Sequence, residues 1–189
     1  ARRLLASFVP RAFRRPVPPA DIEPYVAFVA ARLEEGDCFE EAMRRAFVAV
    51  LTSPETLLHS ADPASVPDVA DRFALASRLS YWLWNGPPDA ALLETAAAGA
   101  LATPASMRDE VERLLADPRS GRFIEGFTDQ WLELARIDET TPDRRLYPEY
   151  SWLLREGMLA ETRAFFRECV DSDLPIRTLI DADFSMLTQ

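Results

Sequence analysis

Apolar residues recur about every 3.6 positions along almost the whole chain, and no stretch alternates with period two for long enough to demand a strand. Ile22, Tyr25, Val26, Val29 and Leu33 share one helical face, and so do Phe39, Met43, Ala46, Phe47, Val50 and Leu51. Further stripes are Val69, Phe73, Ala76, Ser80 and Leu83, then Phe123, Phe127, Trp131 and Leu134, then Tyr150, Leu154, Met158, Phe165 and Cys169. A helix with such a stripe leaves it wet unless another helix covers it. The expected fold is therefore all-α: a multi-helix bundle in which a small N-terminal helical unit packs with a larger C-terminal one.

The chain's 15 prolines fit this reading because of where they fall. Ser53-Pro54, Thr103-Pro104 and Asp117-Pro118 each pair a capping residue with Pro at the first helical position, where a missing N–H costs nothing. Pro88 and Pro148 also precede helical runs, while Gly36, Gly86 and Gly99 follow such runs and suit left-handed stops. Gly36-Asp37 reads as one helix stopping and the next being capped. Helices are expected near 2–14 (kinked or split at Pro10), 19–35, 38–52, 54–59, 67–85, 88–98, 104–116, 118–136 and 148–171, with a short turn at 175–180. Residues 60–67 read as a linker between domains 1–62 and 63–189, and 137–148 as the longest loop.

With 21 basic and 31 acidic side chains the net charge is −10, which disfavours nucleic acid as a partner. Every basic residue is Arg. Arg2, Arg3, Arg11, Arg14 and Arg15 open the chain with no acid among them, and this segment is expected to dock on the acidic body. No segment is apolar enough to span a bilayer. Two Cys and one His exclude a zinc ribbon, a histidine-rich metal centre and a dense disulfide framework. The start at Ala1 reads as a fragment of a longer protein.

Few residues offer chemistry. His59 has no visible Ser or Cys partner and reads as structural or solvated. Cys38 and Cys169 lie on apolar faces, either as free thiols or as a pair closing a long loop. Asp171/Asp173 and Asp181/Asp183 fit caps and turns better than a calcium loop. Glycine-rich phosphate loops, the Gly-x-Ser-x-Gly elbow, His-Glu-x-x-His and Cys-x-x-Cys-His are all missing from the sequence. No catalytic, cofactor-binding or metal-ligating residue is therefore named. The aromatic run Tyr81-Trp82-Leu83-Trp84, with Arg78 before it and Trp131 and Trp152 elsewhere, fits either a core or a stacking platform. Arg78, Trp82, Trp84 and Trp131 are the candidate binding cleft.

Two stretches carry a resemblance. Arg11-Ala12-Phe13-Arg14-Arg15-Pro16-Val17, continuing through Phe39-Glu40-Glu41-Ala42 to Ala49-Val50-Leu51-Thr52-Ser53-Pro54-Glu55, resembles a small planctomycete domain of unknown function. Leu75-Ala76-Ser77-Arg78-Leu79-Ser80-Tyr81-Trp82-Leu83-Trp84-Asn85, Pro88-Asp89, Asp117-Pro118-Arg119, Phe123, Phe127, Gln130-Trp131-Leu132 and Asp183-Phe184 are similar to the larger domain that usually follows it. Pro18 departs from the first pattern, where relatives often have a polar cap, and this leaves the start of the second helix open. The resemblance implies a large exported or periplasmic protein. Such domains commonly share a chain with a c-type cytochrome domain, which would place haem in a companion domain outside this segment; with Cys-x-x-Cys-His missing, no cofactor is expected within it. No catalytic residue carries over.

Three functional readings follow. A noncatalytic helical structural or interaction module, working with neighbouring domains of the same chain or a protein partner, would bury Arg78, Trp82 and Trp131 at helix contacts. A carbohydrate-binding or polysaccharide-acting unit would need solvent-facing aromatics beside carboxylates such as Asp89, Asp129 or Asp138. A docking surface for an electron-transfer partner would use the acidic face.

Overall fold

The computed structural model describes residues 1–58, 69–139, 141–143 and 145–187. His59, the 60–67 linker and the expected 62/63 border lie outside them. The fold is all-α, and the described residues contain helices, short 3-10 turns and no strand. Contacts divide the chain into two compact units, Ala1–Arg113 and Leu114–Gln189.

The first unit opens with α1 (Arg2–Phe13), α2 (Pro19–Glu34) and α3 (Phe39–Leu51). Their stripes meet in a core of Leu5, Val9, Phe13, Ile22, Val29, Ala42, Met43, Ala46 and Val50. The Phe8 and Phe47 rings pack beside it with centroids 4.5 Å apart. α1 runs through Pro10 as one helix rather than splitting there. α2 starts at Pro19 with Pro18 in the capping position and no side-chain cap.

Arg14 ends α1 with a left-handed φ of 56° and is 95% buried, since only 5% of it meets solvent. Its guanidinium donates to the carbonyls of Thr56 (2.9 Å), Glu55 (3.2 Å) and Leu58 (3.3 Å), and so closes the end of α4 (Pro54–Leu57). It also lies 5.8 Å from the centroid of the Tyr81 ring. Of the arginines that open the chain, Arg2 meets a carboxylate, Glu23, whereas Arg14 is spent on backbone carbonyls.

α5 (Val69–Trp84), α6 (Ala90–Ala97), a 3-10 turn at Ala100–Ala102 and most of α7 (Pro104–Ala116) complete the unit. Gly36 (φ 100°) and Gly99 (φ 73°) supply left-handed stops as expected. After α5 it is Asn85, not Gly86, that turns left-handed, at φ 47°. A short polar side chain tolerates that region. Two expected caps are corrected. The residue before α3 is Cys38, with no side-chain cap, because Asp37 is drawn off to Arg32 Nε at 2.7 Å. Ser53 donates back to the Val50 carbonyl at 2.8 Å instead of capping α4.

In the second unit the single helix expected at 118–136 is three pieces: a 3-10 turn at Pro118–Ser120, α8 (Gly121–Trp131) and a 3-10 segment at Leu134–Asp138. Asp117 accepts from the Arg119 N–H and tightens the first turn, and Glu133 takes φ 52°, which ends the α-helical ladder. α9 (Trp152–Asp171) begins four residues later than expected from Pro148, because Ser151 Oγ caps the Leu154 N–H at 3.2 Å. A final 3-10 turn spans Ile176–Leu179, inside the expected 175–180. α8 packs on α9 with the Phe123, Phe127 and Trp131 rings around Phe166.

Candidate functional site

Helical geometry separates the aromatic run. Successive residues turn by about 100°, so Trp82 and Trp84 point roughly 200° apart on α5. Trp84 is 1% exposed and Trp82 is 62% exposed, so the two tryptophans do not line one cleft. Arg78 faces solvent with Trp82. Trp131 belongs to the second unit, where it is half exposed at the end of an aromatic ladder. Its ring lies 5.6 Å from Phe127 and 6.3 Å from Phe166, and Phe127 stacks on Phe166 at 5.1 Å. The expectation that Arg78, Trp82 and Trp131 would be buried at helix contacts is therefore corrected: among these aromatics Trp84 faces inward.

Trp84 is covered by a polar clasp. The Arg113 guanidinium lies 5.8 Å from the Trp84 ring centroid and donates to both Asp89 oxygens at 2.9 and 3.1 Å. It also donates to Glu110 at 2.9 Å, and Thr95 Oγ1 reaches the same carboxylate at 2.9 Å. The hydrogen bond to Asp89 is the chief reason that the Arg113 pKa is raised. Asp89 additionally caps α6 through the Leu92 N–H at 2.9 Å.

Asp129 and Asp138 are held in the same manner. Arg163 grips Asp129 from α9 with contacts of 2.8 to 3.1 Å. Arg155 reaches Asp138 with Nε at 2.6 Å and Nη2 at 2.7 Å. All three carboxylates with possible acid–base roles are thus ion-paired to arginine forks, which suit two-point contacts. Asp138 lies in the wall of a cavity of about 200 Å³ at the start of α9, with Trp152 at its mouth.

Cys38 is exposed and Cys169 buried, and both are free thiols. Burial, with a smaller push from Glu168, raises the Cys169 thiol pKa. Among the described residues no cluster of three or more His, Cys, Asp or Glu could hold a metal ion. No described helix is long and apolar enough to cross a membrane.

Residues 70–189 match the family described as PSD4, a protein of unknown function (DUF1592). The chain belongs to the PSD4 family. Residues 1–59 match a second family of unknown function, PSD5 (DUF1595). No curated protein matches the chain, and neither does any solved structure. The PSD5 stretch covers α1 to α4, and the PSD4 stretch begins within α5. The PSD4 stretch crosses the division between the two compact units, so α5 and α6 fold with the PSD5 helices. Arg14 over Tyr81 is a contact between the two family stretches inside the first unit.

Sequence reasoning passed over the surroundings of Trp152 in the PSD4 stretch. A helix assumed to start at Pro148 placed Tyr150 on its buried stripe, whereas Tyr150 lies before α9 in a turn that donates to the Tyr147 carbonyl at 3.1 Å. The available signal was Ser151, a strong capping residue directly before an apolar run.

Proposed function

We propose that this chain is a noncatalytic helical structural and interaction module of a larger exported, cytochrome-linked protein, and that the α8–α9 pair docks against a neighbouring domain of that protein. The observation that carries this reading is apolar surface on two packed helices. Trp131 and Leu132 at the end of α8 are 50% and 43% exposed. Leu154 and Met158, one turn apart on α9, are 42% and 46% exposed. Single apolar residues on a surface are ordinary, but several on a helix pair are characteristic of a contact face. The arginine-locked carboxylates support the noncatalytic part. Export and cytochrome linkage rest on the resemblance of the two stretches to planctomycete domain pairs.

Hydroxyl-radical footprinting of this chain alone and within its full-length polypeptide tests the reading. Trp131 and Met158 are expected to oxidise readily in the isolated chain and to be protected in the full-length protein. Equal oxidation in both would overturn the docking assignment.

A further inference from the structure

Asp138, Thr141, Tyr150, Ser151, Trp152 and Arg155 surround one cleft of about 200 Å³. The cleft lies within the second unit. Its wall is fixed by a two-point ion pair across 17 residues of sequence, Arg155 to Asp138. Arg155 Nη1 is also occupied, by Glu156 Oε1 at 2.5 Å. Trp152 stands at the mouth with 74% of its surface exposed.

The charges decide which ligands suit this arrangement. The two charged residues that line the cleft, Asp138 and Arg155, offset one another, so neither an anion nor a cation gains a net attraction there. A neutral polyhydroxyl ligand depends on no such attraction. The carboxylate oxygens of Asp138 accept more than one hydrogen bond each, and Thr141, Ser151 and Tyr150 supply hydroxyls that both donate and accept. The exposed indole offers a broad apolar face for the C–H side of a sugar ring, as amphipathic aromatics do where one side of a ligand is apolar and the other wet.

We propose that this cleft is a binding subsite for one pyranose unit of a neutral oligosaccharide, with Trp152 as the stacking platform and the Asp138–Arg155 pair as the polar wall. The subsite binds and does not cleave. Glycoside hydrolysis uses two carboxyl groups flanking the bond, and Asp138 is the one carboxylate among the described residues that line the cleft. The assignment is separate from the docking face, which uses Trp131 and Met158.

The test is titration of the whole chain with cello-, xylo-, manno- and chito-oligosaccharides, followed by calorimetry, with an oligogalacturonate as the anionic counter-probe. At least one neutral oligosaccharide is expected to saturate the protein with a millimolar or tighter Kd. Trp152→Ala is expected to weaken that binding by about tenfold or more, roughly 1.4 kcal/mol. Trp152→Phe should recover part of the loss, and Trp82→Ala, on the exposed face of α5, should leave affinity unchanged. Circular dichroism on each variant checks that the fold persists. Absence of binding by all four neutral probes overturns the proposal. So does binding undiminished in Trp152→Ala, an equal loss in Trp82→Ala, or oligogalacturonate binding as tightly as the neutral chains.

Discussion

Helices α1–α3 and the α8–α9 pair carry the same kind of apolar stripe but bury it to different depths. In the three-helix set, Leu5, Val9, Ala42, Ala46 and Val50 are all fully buried, although Leu33, Phe39 and Leu51 at the margins of the stripes are 41%, 49% and 47% exposed. In the pair, Phe127 and Trp131 retain 38% and 50% of their exposure although their rings stack in series with Phe166. Three helices enclose the centre of a stripe and leave only its margins wet, whereas two leave even aromatic residues of the contact partly uncovered. What remains is surface with the composition of a core, and that is the physical basis for assigning it a partner.

Core truncation should widen this contrast most. Leu5→Ala is expected to lower stability by about 3 kcal/mol, because a fully buried leucine leaves a cavity that helix packing cannot close. Trp131→Ala, at a half-exposed site, is expected to cost about 1 kcal/mol or less in the isolated chain. Urea midpoints of the two variants are the measurement, and equal losses would break the comparison.

Arg14→Met ranks next, at about 2 kcal/mol, since it removes a buried guanidinium that serves the Thr56, Glu55 and Leu58 carbonyls together. Arg14→Lys should not restore the loss, because an ammonium lacks the planar fork that reaches several carbonyls at once. Full rescue by Lys would show that charge, not geometry, matters there. Asp89→Ala should cost about 1 kcal/mol in thermal or urea unfolding, by removing both the α6 cap and the partner of Arg113. Asp89→Asn should recover the cap portion alone.

The smallest effect is acid-dependent. Chiefly its hydrogen bond from Arg32 holds the Asp37 carboxyl below its ordinary pKa. A lowered folded pKa means that this contribution is complete above the ordinary carboxylate value and disappears as pH falls through the folded value. Urea midpoints measured across the acid range should therefore fall less steeply in Asp37→Asn than in the parent chain. An unchanged slope would remove Asp37 from the account of why the first unit holds its shape.

Legibility differed along the chain for physical reasons. The first three helices were readable because their apolar stripes are strong enough to carry α1 through Pro10, and Gly36 does take the left-handed stop. The 118–136 stretch misled because its stripe continues in register through residues whose backbone turns at Glu133, where no glycine or proline marks the break. Of the candidate cleft residues, Arg78 and Trp82 share the solvent side of α5, Trp84 faces the opposite way, and Trp131 lies in the other unit. Closeness in sequence did not become closeness in space, because a helix distributes neighbours around its axis. The cleft at Trp152 depends on an Asp and an Arg far apart in sequence, a pairing that no local pattern announces.

Local chemistry was enough to determine that this protein is helical and where most of its rods begin and end. Those properties depend on backbone sterics, capping and apolar period, all of which act over a few residues. Tertiary structure alone decided which stripes were closed off and which stayed open. It also placed α5 with the N-terminal helices and brought Asp138 beside Trp152. Burial is a property of what surrounds a side chain, and the surroundings are set by segments that meet only when the whole chain folds.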